Sequence, residues 1–122
     1  MINCLFVGIG GFLGASFRYL LGLLPVPKTD FPYITFGINI LGAFAIGIIS
    51  ALAAKYGLND SRLILLLKTG VCGGFTTFST FSLESSQLLS SGKVFQAALY
   101  MICSVLFCLA AVWLGGTLIK GR

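Results

Sequence analysis

Four runs of apolar residues, separated by short polar connections, make up nearly all of this chain. A bilayer hydrocarbon core is roughly 30 Å thick and an α-helix rises about 1.5 Å per residue, so a run of about 20 residues has the length of one crossing. We place the spans at about residues 3–24, 33–54, 63–89 and 94–119. Composition agrees: 57% of the 122 residues are apolar and 9% charged, with a mean hydropathy of +1.03. A soluble domain carries about a quarter charged residues. The chain is predicted to be an all-α integral membrane protein, one transmembrane domain over residues 1–122.

The first run has no basic segment before it and continues past Arg18 without a small-residue cleavage site, so it reads as a retained span rather than a signal peptide. The connections at 25–32, 55–62 and 90–93 leave no room for a soluble catalytic lobe. Cys4, Cys72, Cys103 and Cys108 all fall within spans and lack a metal-type spacing, so they read as small buried apolar residues. The formal charge of +5 comes largely from loops and termini, which is ordinary for a membrane protein and does not suggest nucleic acid. With four spans, Lys55, Arg62, Lys68, Lys120 and Arg122 share one side, and Arg18, Lys28 and Lys93 the other. Five against three is a weak positive-inside bias, compatible with insertion in both orientations and hence with an antiparallel homodimer.

The third span is unlike the others. Residues 69–82 put a glycine pair and a dense run of hydroxyls and phenyl rings inside an apolar segment: Gly73-Gly74-Phe75-Thr76-Thr77-Phe78-Ser79-Thr80-Phe81-Ser82. Each glycine costs a helix roughly 1 kcal/mol relative to alanine, and hydroxyls gain little against acyl chains. A helix broken near Gly73, beside a polar stripe, is therefore expected, and such a break is a known way to build an ion site. Helical spacing sorts other polar residues into stripes: Thr35, Asn39 and Gly42 on span two, Tyr100, Ser104 and Cys108 on span four. Arg18, Asn39 and the hydroxyls between Thr76 and Ser86 need partners other than lipid, which argues for oligomerisation. Gly10-x3-Gly14, Gly11-x3-Ala15 and Ala43-x3-Gly47 offer helix-contact faces.

The donors in these stripes are neutral. Asn39 carries two N–H groups, the hydroxyls carry O–H groups, and phenyl edges carry positive partial charge, so Phe78 and Phe81 can face an anion edge-on. Several weak donors allow a small hard anion both to enter and to leave, where a full cation would hold it. Against this stand the ordinary roles: hydroxyls bonding back to i−4 carbonyls, and aromatics packing.

The segments Gly11-Phe12-Leu13-Gly14-Ala15-Ser16-Phe17-Arg18-Tyr19, Gly37-Ile38-Asn39-Ile40-Leu41-Gly42 and residues 73–82 resemble the three signatures of the Fluc (CrcB) fluoride channels, in the same order and over essentially the whole chain. The resemblance implies an antiparallel, dual-topology homodimer in a bacterial inner membrane, with two pores exporting fluoride passively and rejecting chloride. It implies Asn39 as the pore amide, Phe78 and Phe81 as ring-edge contacts, and Ser79, Thr80, Tyr100 and Ser104 on the polar track. Thr35 lies on the Asn39 stripe, and Arg18 is expected near an aqueous vestibule. A structural sodium ion at the dimer two-fold, held by backbone carbonyls of Gly73 and Thr76, is also implied. Freed carbonyls at a helix break suit such a hard cation.

A small multidrug exporter shares four spans and dual topology, but proton exchange needs a carboxylate within the membrane, typically in the first span, where only Arg18 is charged. An intramembrane enzyme is disfavoured by the absence of histidine and of a base for any serine. Transport is accordingly expected to need no proton gradient, with no carboxylate inside the membrane. Asn39→Ala and Phe78→Ile are each expected to cut flux while leaving the fold intact. Glu84 reads either as a pore-mouth residue or as a solvated helix-end charge.

Overall fold

Pro25 and Pro27 cannot donate backbone N–H groups, and the first helix, α1 (Ile2–Gly22), stops just before them. The computed structural model describes residues 1–121; Arg122, counted above among the charges at the C-terminal end, lies outside the described residues. Helix α2 (Tyr33–Tyr56) ends on Gly57, whose φ of 64° is the left-handed conformation glycine adopts without a Cβ penalty. Ser61 then caps the third helix, its hydroxyl accepting the Ile64 N–H at 3.2 Å. This helix, α3 (residues 62–75), is α-helical over Arg62–Ile64, π-helical over Leu65–Cys72 and α-helical again over Gly73–Phe75. After a break come α4 (Phe78–Ser90) and α5 (Val94–Lys120), joined by a tight turn at Gly92.

Four segments are long and apolar enough to cross a membrane: Ile2–Gly22, Tyr33–Tyr56, Arg62–Ser90 and Val94–Lys120. They match the expected spans to within a few residues, and the described residues contain no strand. The break expected near Gly73 is present, and its two extended residues are Thr76 (ψ 156°) and Thr77 (φ −150°, ψ 120°). Gly73 itself is helical, with φ −64° and ψ −38°. The chain opens one step after the glycines because Thr77 turns its hydroxyl forward to cap α4, accepting the Thr80 N–H at 3.1 Å.

The glycines serve packing instead. A Cβ on Gly74 would sit 2.6 Å from the Gly11 carbonyl oxygen and 3.2 Å from the Ala15 nitrogen. Gly10 meets the backbone of Leu66, Gly70 and Val71, and Gly14 that of Val71 and Phe75. Thus α1 and α3 touch backbone to backbone along the Gly10-x3-Gly14 and Gly11-x3-Ala15 faces, the close approach that small residues permit in membranes. A second seam joins α2 to α5, where Gly47 faces the Val112 carbonyl and Gly115 the Phe44 carbonyl. The two pairs, α1 with α3 and α2 with α5, are the main contacts of the fold, and α4 leans on α5. A small core forms there from Leu88, Ala97 and Tyr100, with Phe31, Phe36, Phe81 and Met101 around it.

Candidate functional site: a broken helix beside a polar groove

The extended pair Thr76-Thr77 leaves backbone groups without helical partners, and Asn39 answers two of them. Its Oδ1 accepts the Thr77 N–H at 2.9 Å, and its Nδ2 donates to the Thr77 carbonyl at 3.2 Å. One carboxamide thus pairs both sides of a single extended residue, as a neighbouring strand would. Asn39 retains one N–H not committed to Thr77. Asn39→Ala is therefore expected to loosen the break as well as to cut flux.

Arg18 answers a third group. Its Nε donates to the Gly74 carbonyl at 3.2 Å, placing a cation at the C-terminal end of α3, where the helix dipole favours it. Further carbonyls are released, those of Gly73 and Thr76 among them. In a continuous helix the Thr77 N–H would bond Gly73 O and the Thr80 N–H would bond Thr76 O; here those donors go to Asn39 Oδ1 and Thr77 Oγ1.

Among the residues read from the sequence, Asn39, Phe78, Phe81 and Ser104 line one open groove of about 320 Å³, together with Cys72, Thr76, Thr77 and Cys108. Phe78 is 79% exposed and Ser104 6%. The ring centroids of Phe78 and Phe81 are 5.6 Å apart, and Phe81 and Tyr100 are 5.1 Å apart, forming a short aromatic ladder from the groove into the core. Ser104 Oγ is the one buried side-chain polar atom without a hydrogen-bond partner among the described residues. Leaving such a group unpaired costs about 1–3 kcal/mol, and this one belongs to a residue of the groove.

Arg18, Thr35 and Thr80 lie elsewhere, around a second cavity of about 250 Å³ that Thr77 shares with the groove. Arg18 lines this cavity while also tethering Gly74. Ser79 is exposed, its hydroxyl 3.1 Å from that of Thr77. Some hydroxyls follow the ordinary helical pattern: Thr76 donates to Cys72 O and Ser85 to Phe81 O, both at 2.8 Å.

Thr35 and Tyr100 differ from expectation in what they bond. Both hydroxyls donate to Glu84, Thr35 to Oε1 at 2.7 Å and Tyr100 to Oε2 at 2.8 Å. Tyr100 is fully buried and borders neither cavity. Glu84 is thus a hydrogen-bonded acceptor, which neither sequence reading of it, as a pore-mouth residue or a solvated helix-end charge, included. Glu84 lies within the candidate span Arg62–Ser90, six residues or about 9 Å before its end. It also opens onto a polar cavity of about 330 Å³ at the bundle end where Lys93 pairs with Asp30. Sequence reasoning missed Glu84 as the acceptor for two hydroxyls, although an acid one span away from a Thr-Asn stripe was the available signal. Thr77 was also missed, though a threonine starting a Phe-Ser-Thr helix was a readable cap.

A four-helix membrane protein whose third crossing is broken and clasped by an asparagine from the second is the class that this geometry defines. Residues 5–116 match the family described as CrcB-like protein, Camphor Resistance (CrcB), and the chain belongs to that family. It is 48% identical over 117 residues to a protein of Prosthecochloris aestuarii named fluoride-specific ion channel FluC, covering 95% of this chain and 91% of that one. A protein of the same name from Ruminiclostridium cellulolyticum is 44% identical over 122 residues, covering 98% and 94%. Fluoride-specific ion channel FluC 1 of Methanosarcina acetivorans is 42% identical over 116 residues, covering 94% and 88%.

Proposed function

We propose that this chain is a fluoride-selective channel that lets fluoride leave the cell passively and so protects it from fluoride toxicity. The observation that carries the reading is the groove, which collects Asn39 with a spare N–H, the Phe78 and Phe81 rings and the unpartnered Ser104 hydroxyl. These are neutral donors of the kind that replace an anion's water without trapping it. The names of the relatives point the same way. The chain acts by conduction rather than catalysis.

Two copies insert antiparallel in the inner membrane of a bacterium and give two pores. A single chain leaves Phe78 and Gly73 exposed and the groove open on one side, as expected of a half-site. The Gly73 and Thr76 carbonyls, both released at the break, suit a hard monovalent cation, and we assign them to a structural sodium ion at the two-fold. The residues fit that ion; its role is to tie the two breaks together.

Efflux from liposomes containing the purified protein tests the function. Fluoride should leave downhill with no imposed proton gradient, and chloride should be nearly retained. Equal rates for the two halides, or strict dependence on a proton gradient, would refute it. A cysteine placed in the 55–62 loop, on a background with native cysteines replaced, should label from both faces of the membrane; labelling from one face only refutes the antiparallel assembly.

A further inference from the structure

At the membrane end opposite the Asp30–Lys93 pair, α2 and α5 part beyond the Gly47–Val112 contact. A cleft of about 320 Å³ opens between them, floored by Gly47, Ala51, Ala54 and Gly116. Trp113 forms one wall and is 70% exposed; Lys120 stands at the mouth. Thr117 turns its hydroxyl away to the Leu114 carbonyl at 2.9 Å, which leaves Ser50 as the other hydroxyl residue on a mostly apolar lining below the lysine. Lys55, in the last turn of α2, is at the same end, so both helices finish on a cation. Among the described residues neither lysine has a carboxylate partner, the one ion pair being at the other end.

We propose that this cleft holds an acyl chain of an anionic phospholipid, with the phosphate beside Lys120. The site is graded along one axis, apolar in depth and cationic at the membrane surface, which is the polarity of such a lipid and of few other occupants. A second copy of this chain is a poor fit. Set parallel, it would bring lysine against lysine. Set antiparallel, it would offer an end bearing Lys28 and Lys93 whose two acids are already engaged, Asp30 by Lys93 and Glu84 by Thr35 and Tyr100. The inference depends on the membrane fold and not on conduction, so its failure would leave the fluoride reading standing.

The chain has one tryptophan, and it lines the cleft, so its fluorescence reports occupancy. Trp113 is seven residues before Lys120, about 10 Å deeper, which suits lipids brominated in mid-chain. The purified full chain is reconstituted in phosphatidylcholine vesicles containing brominated phosphatidylglycerol or, at equal fraction, brominated phosphatidylcholine. A lysine near the surface favours an anionic lipid by on the order of fivefold, so the phosphatidylglycerol should quench at several-fold lower content. Lys120→Gln should bring the two lipids close to parity, Lys120→Arg should restore the preference, and Lys28→Gln at the other end should leave it unchanged. Equal quenching by both lipids in the parent would overturn the proposal. So would a tryptophan quenched by neither, which would mean that protein covers the cleft.

Discussion

Asn39→Ala removes two hydrogen bonds, at 2.9 and 3.2 Å, from the backbone of a single residue in the break. A neutral hydrogen bond contributes about 1 kcal/mol net, so the pair stabilises the closed break by about 2 kcal/mol. The N–H and carbonyl left behind would each cost about 1–3 kcal/mol if water could not reach them. Thr77 is half-buried, which makes the lower figure the appropriate one. Two kcal/mol is roughly thirtyfold in the local opening equilibrium. Amide hydrogen exchange of the protein in nanodiscs, read at Thr77, should therefore speed up by about that factor in Asn39→Ala. Asn39→Asp keeps the acceptor for the Thr77 N–H but sets a charged oxygen against the Thr77 carbonyl and into an anion path. That variant should retain part of the Thr77 protection and lose fluoride efflux. Exchange at Thr77 unchanged in Asn39→Ala would show that the asparagine does not hold the break, and the clasp would have to be abandoned.

Phe78 is 79% exposed in the single chain and has Phe81 as its aromatic neighbour, so Phe78→Ile should change stability by no more than about 0.5 kcal/mol in thermal unfolding. Fluoride efflux should nonetheless fall at least about tenfold, the loss of one modest interaction at the ion; parental flux would remove the ring from the pathway. A Cβ on Gly73 meets nothing within 4 Å, whereas one on Gly74 would strike Gly11. Gly74→Ala should therefore weaken the chain itself by about 1–3 kcal/mol. Gly73→Ala keeps its carbonyl and leaves the chain intact, but its added methyl should crowd the proposed crossing of two subunits and weaken the proposed dimer; a Gly73→Ala protein that assembles as stably as the parent would show that Gly73 does not pack at the two-fold. In a double-mutant cycle of Tyr100→Phe with Glu84→Ala, the hydrogen bond should appear as about 1 kcal/mol of coupling, and additive effects would deny the bond.

The spans were readable because hydropathy and length act locally, and the small-residue faces of α1 and α2 were readable because spacing alone puts Gly10 and Gly14, or Ala43 and Gly47, on one side of a helix. The break was legible in place but not in cause. Glycine propensity pointed to residues 73 and 74, yet both are helical, and the capping hydroxyl of Thr77 decides where the chain opens. Asn39, Phe78, Phe81 and Ser104 do share a groove, since stripes on separate helices converge when those helices pack. What the stripes could not reveal is which donors are already engaged. Thr35 and Tyr100 read as available hydroxyls until Glu84 is placed between them, a contact spanning 49 residues in one case and 16 in the other. The π-helical turn at Leu65–Cys72 has no signature that we could identify in its residues.

The pairing of α1 with α3 and of α2 with α5 sets a timetable for biosynthesis. Helices emerge in order at about 5–20 residues per second, and α1 and α2 barely touch one another. The first hairpin to leave the ribosome therefore has no packed interface of its own, and α1 must wait for the glycine face of α3 before it acquires a neighbour. The second pair closes only when α5 is complete at Lys120. The α1–α3 seam can thus close once residue 75 is inserted, while α2 lacks its main packing partner until α5 follows it into the bilayer. A nascent chain halted before α3 should remain unusually open to membrane proteases, whichever way round it has entered.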